Sequence, residues 1–295
     1  MKIQTQEISH PLLKEKHVRL YLKRIDLVHS FLSGNKWYKL KYNLEEAVKL
    51  KKNTILTFGG AFSNHIAATS YAARNKGLNS IGIIRGEERL PLNSTLDFAI
   101  KHGMVLHYIS RSDYRLKNTT NFRQNIKDIF GEFYLIPEGG SNKLAVKGTR
   151  EIINNSDDQD YICCSVGTGG TIKGIIQAST IKQQIIGFLA IKYYDQINSS
   201  INRCVEKQNW SLINNYLFGG YARYNQDLIN FIINFNKRNH IPLDAIYTGK
   251  MMFGIFDLIA KDYFPIGSKI LAIHTGGLQG NKGMNERFDL SLPTN

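Results

Sequence analysis

From Asn53 onward one pattern repeats along the chain. A short apolar run rich in β-branched residues is followed by a Gly-rich turn and then by a stretch of helical periodicity. Residues 54–58 read as a buried strand, Gly59-Gly60 ends it, and 64–75 reads as a helix. The same reading gives strands at 80–84, 105–109, 133–136, 161–166, 185–190 and 270–274. Helices are expected at 92–102, 121–130 and 143–154. Buried strands alternating with helices build a parallel, doubly wound sheet covered on both faces. Two sets of β-α units are visible, 54–140 and 160–275, joined by the polar stretch 154–159. A length of 295 residues suits two modest α/β domains.

Hydrophobic residues make up 42% of the chain, enough to bury a real core, which excludes a disordered or low-complexity polymer. The formal charge of +14 raises nucleic acid, an anionic surface or an acidic ligand as partners. Trp37, Tyr38 and the lysines at 39 and 41 form a basic aromatic cluster that would serve a nucleic-acid-binding protein. Against this, Lys and Arg are scattered and no recognition motif is present. Cys163, Cys164 and Cys204 are odd in number and lack Cys-x-x-Cys spacing, so neither a disulfide framework nor a thiolate metal site is expected. The first residues carry no apolar signal-peptide core, and no apolar run approaches the ~18 residues of a membrane span. A cytoplasmic protein is the expectation.

Four Gly-containing motifs sit where a strand hands over to a helix, or just before a helix. In open α/β sheets that is where ligands bind. The strongest is Ser165-Val166-Gly167-Thr168-Gly169-Gly170-Thr171. Glycines admit an anion close to the backbone, and helix-start N–H groups favour negative charge. It is neither a Walker A loop nor a Gly-x-Gly-x-x-Gly fingerprint. Gly59-Gly60-Ala61-Phe62-Ser63-Asn64-His65 also opens a helix. Taken alone, Ser63 or Asn64 reads as a helix cap. Gly34-Asn35-Lys36 presents a lysine that in isolation is a solvated helix start. With phosphate-type loops downstream, it suggests a Schiff-base lysine for pyridoxal phosphate. Tyr247-Thr248-Gly249-Lys250 precedes a helix, and His274-Thr275-Gly276-Gly277 follows the last strand. His274 reads best as a satisfied buried histidine.

Together with Pro137-Glu138-Gly139-Gly140-Ser141-Asn142, these motifs resemble one family over about 33–281. It comprises the aminocyclopropane-carboxylate deaminases and D-cysteine desulfhydrases, fold-type II pyridoxal phosphate enzymes of the tryptophan synthase β-like group. Six motifs in the same order carry the resemblance. It implies that Lys36 bears the cofactor and that Asn64 bonds the ring hydroxyl. Gly167, Thr168, Gly169, Gly170 and Thr171 would bind the phosphate. Ser63, Asn64 and His65 would face a substrate carboxylate, and Ser63 would assist catalysis in the deaminase reading. Tyr247 would lie by the ring and move protons, with Thr248 or Thr275 near the pyridine nitrogen. No metal is implied.

The deaminases of the family carry Glu after this Tyr, and Leu in the His-x-Gly-Gly motif. The desulfhydrases carry Thr at both positions, as here. A hydroxyl is a weaker partner for a ring nitrogen than a carboxylate. The resemblance therefore implies α,β-elimination on a small amino acid such as D-cysteine, giving sulfide, pyruvate and ammonia. Ring opening of aminocyclopropane-carboxylate is the alternative. It also implies two doubly wound α/β domains, 40–147 as the small one and 1–39 with 148–295 as the large one. The cofactor would lie between them, in a homodimer.

Overall fold

The computed structural model describes residues 3–29, 31–32 and 34–294. Met1, Lys2, Ser30, Ser33 and Asn295, which fall within ranges read above, lie outside the described residues. The described residues form ten strands: β1 (Thr5–Glu7), β2 (Arg19–Lys23), β3 (Thr54–Gly60), β4 (Asn79–Arg85), β5 (Met104–Ile109), β6 (Tyr134–Ile136), β7 (Tyr161–Val166), β8 (Gln184–Leu189), β9 (Trp210–Ile213) and β10 (Lys269–Ile273). They form two sheets, ordered β1-β2-β10-β7-β8-β9 and β5-β4-β3-β6. Every pairing is parallel except β1 with β2, which is antiparallel at the edge of the larger sheet.

The alternating burial of β7 shows why the sheet is covered twice. Cys163 packs into one core with Ile186 and Met251, while its neighbours Ile162, Cys164 and Val166 pack into another with Ile172 and Ile175. β3 divides likewise, with Ile55 to one side and Leu56 and Phe58 to the other. Each such fully buried side chain contributes about 1.5–3 kcal/mol, so both faces need a helical layer. Most sequence-predicted elements have this origin and agree within one or two residues. The helix expected over 143–154 breaks at Thr149 into a 3₁₀ turn, Arg150–Ile152. The helix expected from 92 begins at Ser94, because Asn93 caps it by accepting from Thr95 N and Leu96 N.

In parallel sheets all carboxyl ends of strands point the same way. Loops after β3 and β6 in the smaller sheet therefore meet loops after β7 and β10 in the larger one. Ser141 and Thr168 share a hydrogen bond across this junction. No helix among the described residues is long and apolar enough to cross a membrane.

Candidate active site

Lys36 is the second residue of helix Asn35–Lys49. Gly34 caps that helix at φ 67 and ψ −147, a conformation open to glycine almost alone. A Cβ at Gly34 would stand 2.0 Å from the Thr275 carbonyl oxygen, so the helix start lies directly on the loop after β10. Asn35 N donates to that carbonyl at 3.3 Å. Lys36 Nζ donates to Asn35 Oδ1 (3.1 Å), and Asn35 Nδ2 donates to Thr171 Oγ1 (2.8 Å). Lys36 is thus connected to the Gly167–Thr171 loop through one amide. Burial pushes its pKa down to about 8, partly offset by the Asp244 carboxylate.

The loop Gly167–Thr171 leads into helix Gly170–Ala178 through Gly169 at φ 82. Two further lysines converge there. Lys39 is 3% exposed and donates to the Gly139 carbonyl at 2.8 Å. A Cβ on Gly170 would come 3.2 Å from Lys39 Nζ. Lys173, also buried, donates to Ser200 Oγ at 2.7 Å. Burial, Lys36 and Lys173 together hold the Lys39 pKa well below its ordinary value. None of the three has a carboxylate within ion-pair distance among the described residues. Amines gathered at a helix start without acids make an anion site. The sequence places Lys39 only in a basic aromatic cluster and not at the phosphate site. Its only signal is the i, i+3 spacing from Lys36, which places both on one face.

On the facing side, Ser63 caps helix Asn64–Asn75 and accepts from His65 N (3.3 Å) and Ile66 N (3.4 Å). The capping reading of Ser63 therefore holds. Asn64 Oδ1 is buried without a hydrogen-bond partner, as is His65 Nδ1. Thr57 Oγ1 donates to the Ile136 carbonyl, so it accepts from His65 Nε2 at 2.8 Å. His65 is then the neutral Nε2–H tautomer, with its Nδ1 lone pair free. Burial and the nearby Lys36 and Lys39 hold its pKa well below the ordinary range.

Asp244 organises the opposite wall. It is fully buried and accepts from Ile246 N and Tyr247 N through Oδ2 and from Thr248 N and Thr248 Oγ1 through Oδ1. Thr248 Oγ1 accepts in turn from Asp244 N at 3.0 Å. The Thr248 hydroxyl is therefore spent on Asp244, so of the two threonines Thr275 is the one left for a ligand. Thr275 Oγ1 shares one hydrogen bond with Ser165 Oγ at 3.1 Å, which leaves capacity to spare. His274 Nε2 donates to the Pro242 carbonyl (2.7 Å) and Nδ1 accepts from Gly276 N, as a satisfied buried histidine should. Tyr247 lies against Gly167, where a Cβ would meet its ring at 3.3 Å. Burial, then Tyr221 and Asp244, push its hydroxyl pKa well above the ordinary value. Tyr221, a residue without any sequence signal, has its ring 6.2 Å from that of Tyr247.

The lysine cluster, the hydroxyl pair and the tyrosine thus gather where the loops after β3 and β6 meet those after β7 and β10. A Pyrococcus horikoshii protein carrying the name of 1-aminocyclopropane-1-carboxylate deaminase is 30% identical over 278 residues, covering 88% of this chain and 85% of its own. The bifunctional D-cysteine desulfhydrase/1-aminocyclopropane-1-carboxylate deaminase of Arabidopsis thaliana mitochondria is 31% identical over 293 residues, covering 88% and 73%. The chain belongs to the aminocyclopropane-carboxylate deaminase and D-cysteine desulfhydrase family. A crystal structure of an ACC deaminase homologue superposes with a TM-score of 0.82 at 25% identity over 97% of this chain and 93% of that one. No family model matches the chain. The family's members are pyridoxal phosphate enzymes, and so is this protein.

The residues fit that cofactor. A half-buried amine of lowered pKa, an acid-free anion cradle and the orphaned Asn64 Oδ1 are the groups an aldehyde, a phosphate and a ring hydroxyl require. The basic aromatic cluster, by contrast, is not an open surface. Tyr38 and Lys39 are buried, and Lys41 pairs with Glu151 at 2.8 Å.

Proposed function

We propose that the protein catalyses α,β-elimination on a small β-substituted amino acid, with D-cysteine as the reference substrate. The balanced reaction is D-cysteine plus water giving pyruvate, ammonium and hydrogen sulfide. The observation that carries the choice is Thr248. Where the deaminases of the family place a carboxylate after the tyrosine, this chain has a hydroxyl, and that hydroxyl is tied to Asp244.

When bound, pyridoxal phosphate supplies an electron sink for the pair left as the Cα–H bond breaks. Lys36 would hold the cofactor, and Gly167, Thr168, Gly169, Gly170 and Thr171, with Lys39, would hold its phosphate. Asn64 would serve the ring hydroxyl, and Thr275 the ring nitrogen. Ser63, Asn64 and His65 would face the substrate carboxylate at the helix start. The Lys36 amine would take the Cα proton, because its lowered pKa makes a neutral amine accessible near neutral pH. Tyr247 stays protonated over the same range and donates to the departing sulfur or to carbon. The product leaves as an enamine that water hydrolyses to pyruvate and ammonium.

The site lies between a small lobe of about 40–147 and a large lobe of 1–39 with 148–295. A cytoplasmic homodimer completes the reading.

A substrate panel tests it. D-cysteine and β-chloro-D-alanine should yield keto acid, with sulfide from the former. L-cysteine, D-serine and aminocyclopropane-carboxylate should react more slowly. Turnover of the cyclopropane without turnover of D-cysteine would reverse the assignment.

A further inference from the structure

Lys250 stands in helix Thr248–Ala260, three residues beyond Tyr247, and is 1% exposed. It has no carboxylate in ion-pair contact among the described residues. Its Nζ instead donates to two backbone carbonyls, Leu217 (2.9 Å) and Gly220 (2.7 Å). A buried ammonium that spends its charge on a loop is costly, and such an arrangement implies that the loop's placement matters.

The same stripe of the helix grips the loop at two more points. Four residues on, a Cβ at Gly254 would stand 2.6 Å from the Tyr216 ring, so only glycine lets Tyr216 approach. Three residues further, Asp257 accepts from the Tyr216 hydroxyl at 2.7 Å. The loop itself does not rest in an ordinary conformation. Phe218, Gly219, Gly220 and Ala222 all have positive φ, at 49°, 89°, 118° and 53°. Left-handed backbone of this density persists only where surrounding contacts dictate it.

The residue delivered by this loop is Tyr221. Its ring meets that of Tyr247 at 67°. That contact, with ring centroids 6.2 Å apart, sets Tyr221 beside the reacting residues.

We propose that Lys250 is a positioning residue, clamping the Leu217 and Gly220 carbonyls so that Tyr221 is held against Tyr247. The proposal rests on the reading of Tyr247 as part of the reacting site.

Two measurements on the full-length protein test it. The first is hydrogen–deuterium exchange of the backbone over 214–224, with and without cofactor. Lys250→Met should raise exchange there and leave β7 and β10 at wild-type protection, and Lys250→Gln, which keeps a donor, should fall between. Unchanged exchange at 214–224 in both variants overturns the clamp, whatever reaction the enzyme performs. The second is a kinetic cycle with Tyr221→Ala on D-cysteine or β-chloro-D-alanine. Misplacing a group by about an ångström costs up to roughly 100-fold, so Lys250→Met should lower kcat by roughly 10- to 100-fold with KM little moved. In the Tyr221→Ala background the same change should cost less than roughly threefold, since the ring it positions is already removed. Losses that multiply fully in the double variant overturn the positioning role. A wild-type protein inactive on the whole panel would refute the proposed function, while the exchange experiment would still decide the clamp.

Discussion

Gly34 offers a sharp test of how the cofactor lysine is placed. Its backbone lies at φ 67 and ψ −147, and a methyl group there would stand 2.0 Å from Thr275 O and 2.8 Å from Gly276 N. Gly34→Ala therefore incurs two costs. Holding alanine in that conformation costs about 1–3 kcal/mol. Separating the helix start from the loop after β10 by more than an ångström adds overpacking of about 1–3 kcal/mol. The sum, roughly 2–6 kcal/mol, is within the ~5–15 kcal/mol of a typical fold, so the protein should remain folded but weakened. Gly77→Ala is the internal control. Gly77 has nearly the same φ, 68, yet nothing lies within 4 Å of the added methyl. It should lose only the backbone cost. Both variants are compared by urea denaturation and by titration of pyridoxal phosphate followed by its visible band. Gly34→Ala should be the less stable and should bind cofactor weakly, because Lys36 moves with the helix. If the two variants unfold alike and both bind cofactor as the wild type does, the packing of Gly34 on the Thr275 loop does not place Lys36.

Two further predictions concern the lysines. Lys39→Met removes the buried amine beside Gly170, and loss of a hydrogen bond to a charged group is worth about 1.5–3 kcal/mol, so cofactor affinity should fall roughly 10- to 150-fold. Equilibrium dialysis showing less than a twofold change would remove Lys39 from the phosphate site. The Lys36 amine, with its pKa lowered from 10.5 to about 8, loses its proton as pH rises through that value. Only the neutral amine adds to the aldehyde, so cofactor uptake by the apoprotein should accelerate from pH 6 to 8 and level off above 9. Stopped-flow traces with a midpoint near 10.5 would show an amine that burial does not perturb.

Much of the fold was legible because its signals are local. Ser63 accepts from two N–H groups of the turn it opens, and the helix over 64–75 begins and ends where its periodicity placed it. β7 agrees end for end, since an apolar run bounded by Asp160 and Gly167 admits little else. β1, β2 and β9 escaped the sequence reading. β2 reads Arg-Leu-Tyr-Leu-Lys, with charges at both ends that suggest a surface turn. Lys23 is nevertheless 2% exposed, paired with Asp157 from a distant stretch of chain. The site divides along the same line. Lys36, Ser63, the Gly167–Thr171 loop and Tyr247 sit in motifs. Lys39, Tyr221 and Lys250 act through contacts with remote segments (Gly139, Tyr247, and Leu217 with Gly220), which the local sequence does not specify, whereas Asp244 works locally, binding the N–H groups of the turn it opens. The choice between Thr248 and Thr275, open in the sequence, turns on one buried carboxylate. The +14 charge proved a poor guide. Three of its lysines, 36, 39 and 173, gather at the anion cradle, and most of the rest are solvated or paired at the surface.

The central claim is that Lys36, and no other lysine of the cluster, bears the cofactor. Protein loaded with pyridoxal phosphate should be reduced with borohydride, digested, and mapped by mass spectrometry. The reduced pyridoxyl group should be found on Lys36, and Lys36→Ala should abolish both the visible band and the label while Lys39→Met retains the label on Lys36. Labelling on Lys39, Lys173 or Lys250, or a protein that takes up no cofactor, would contradict the account.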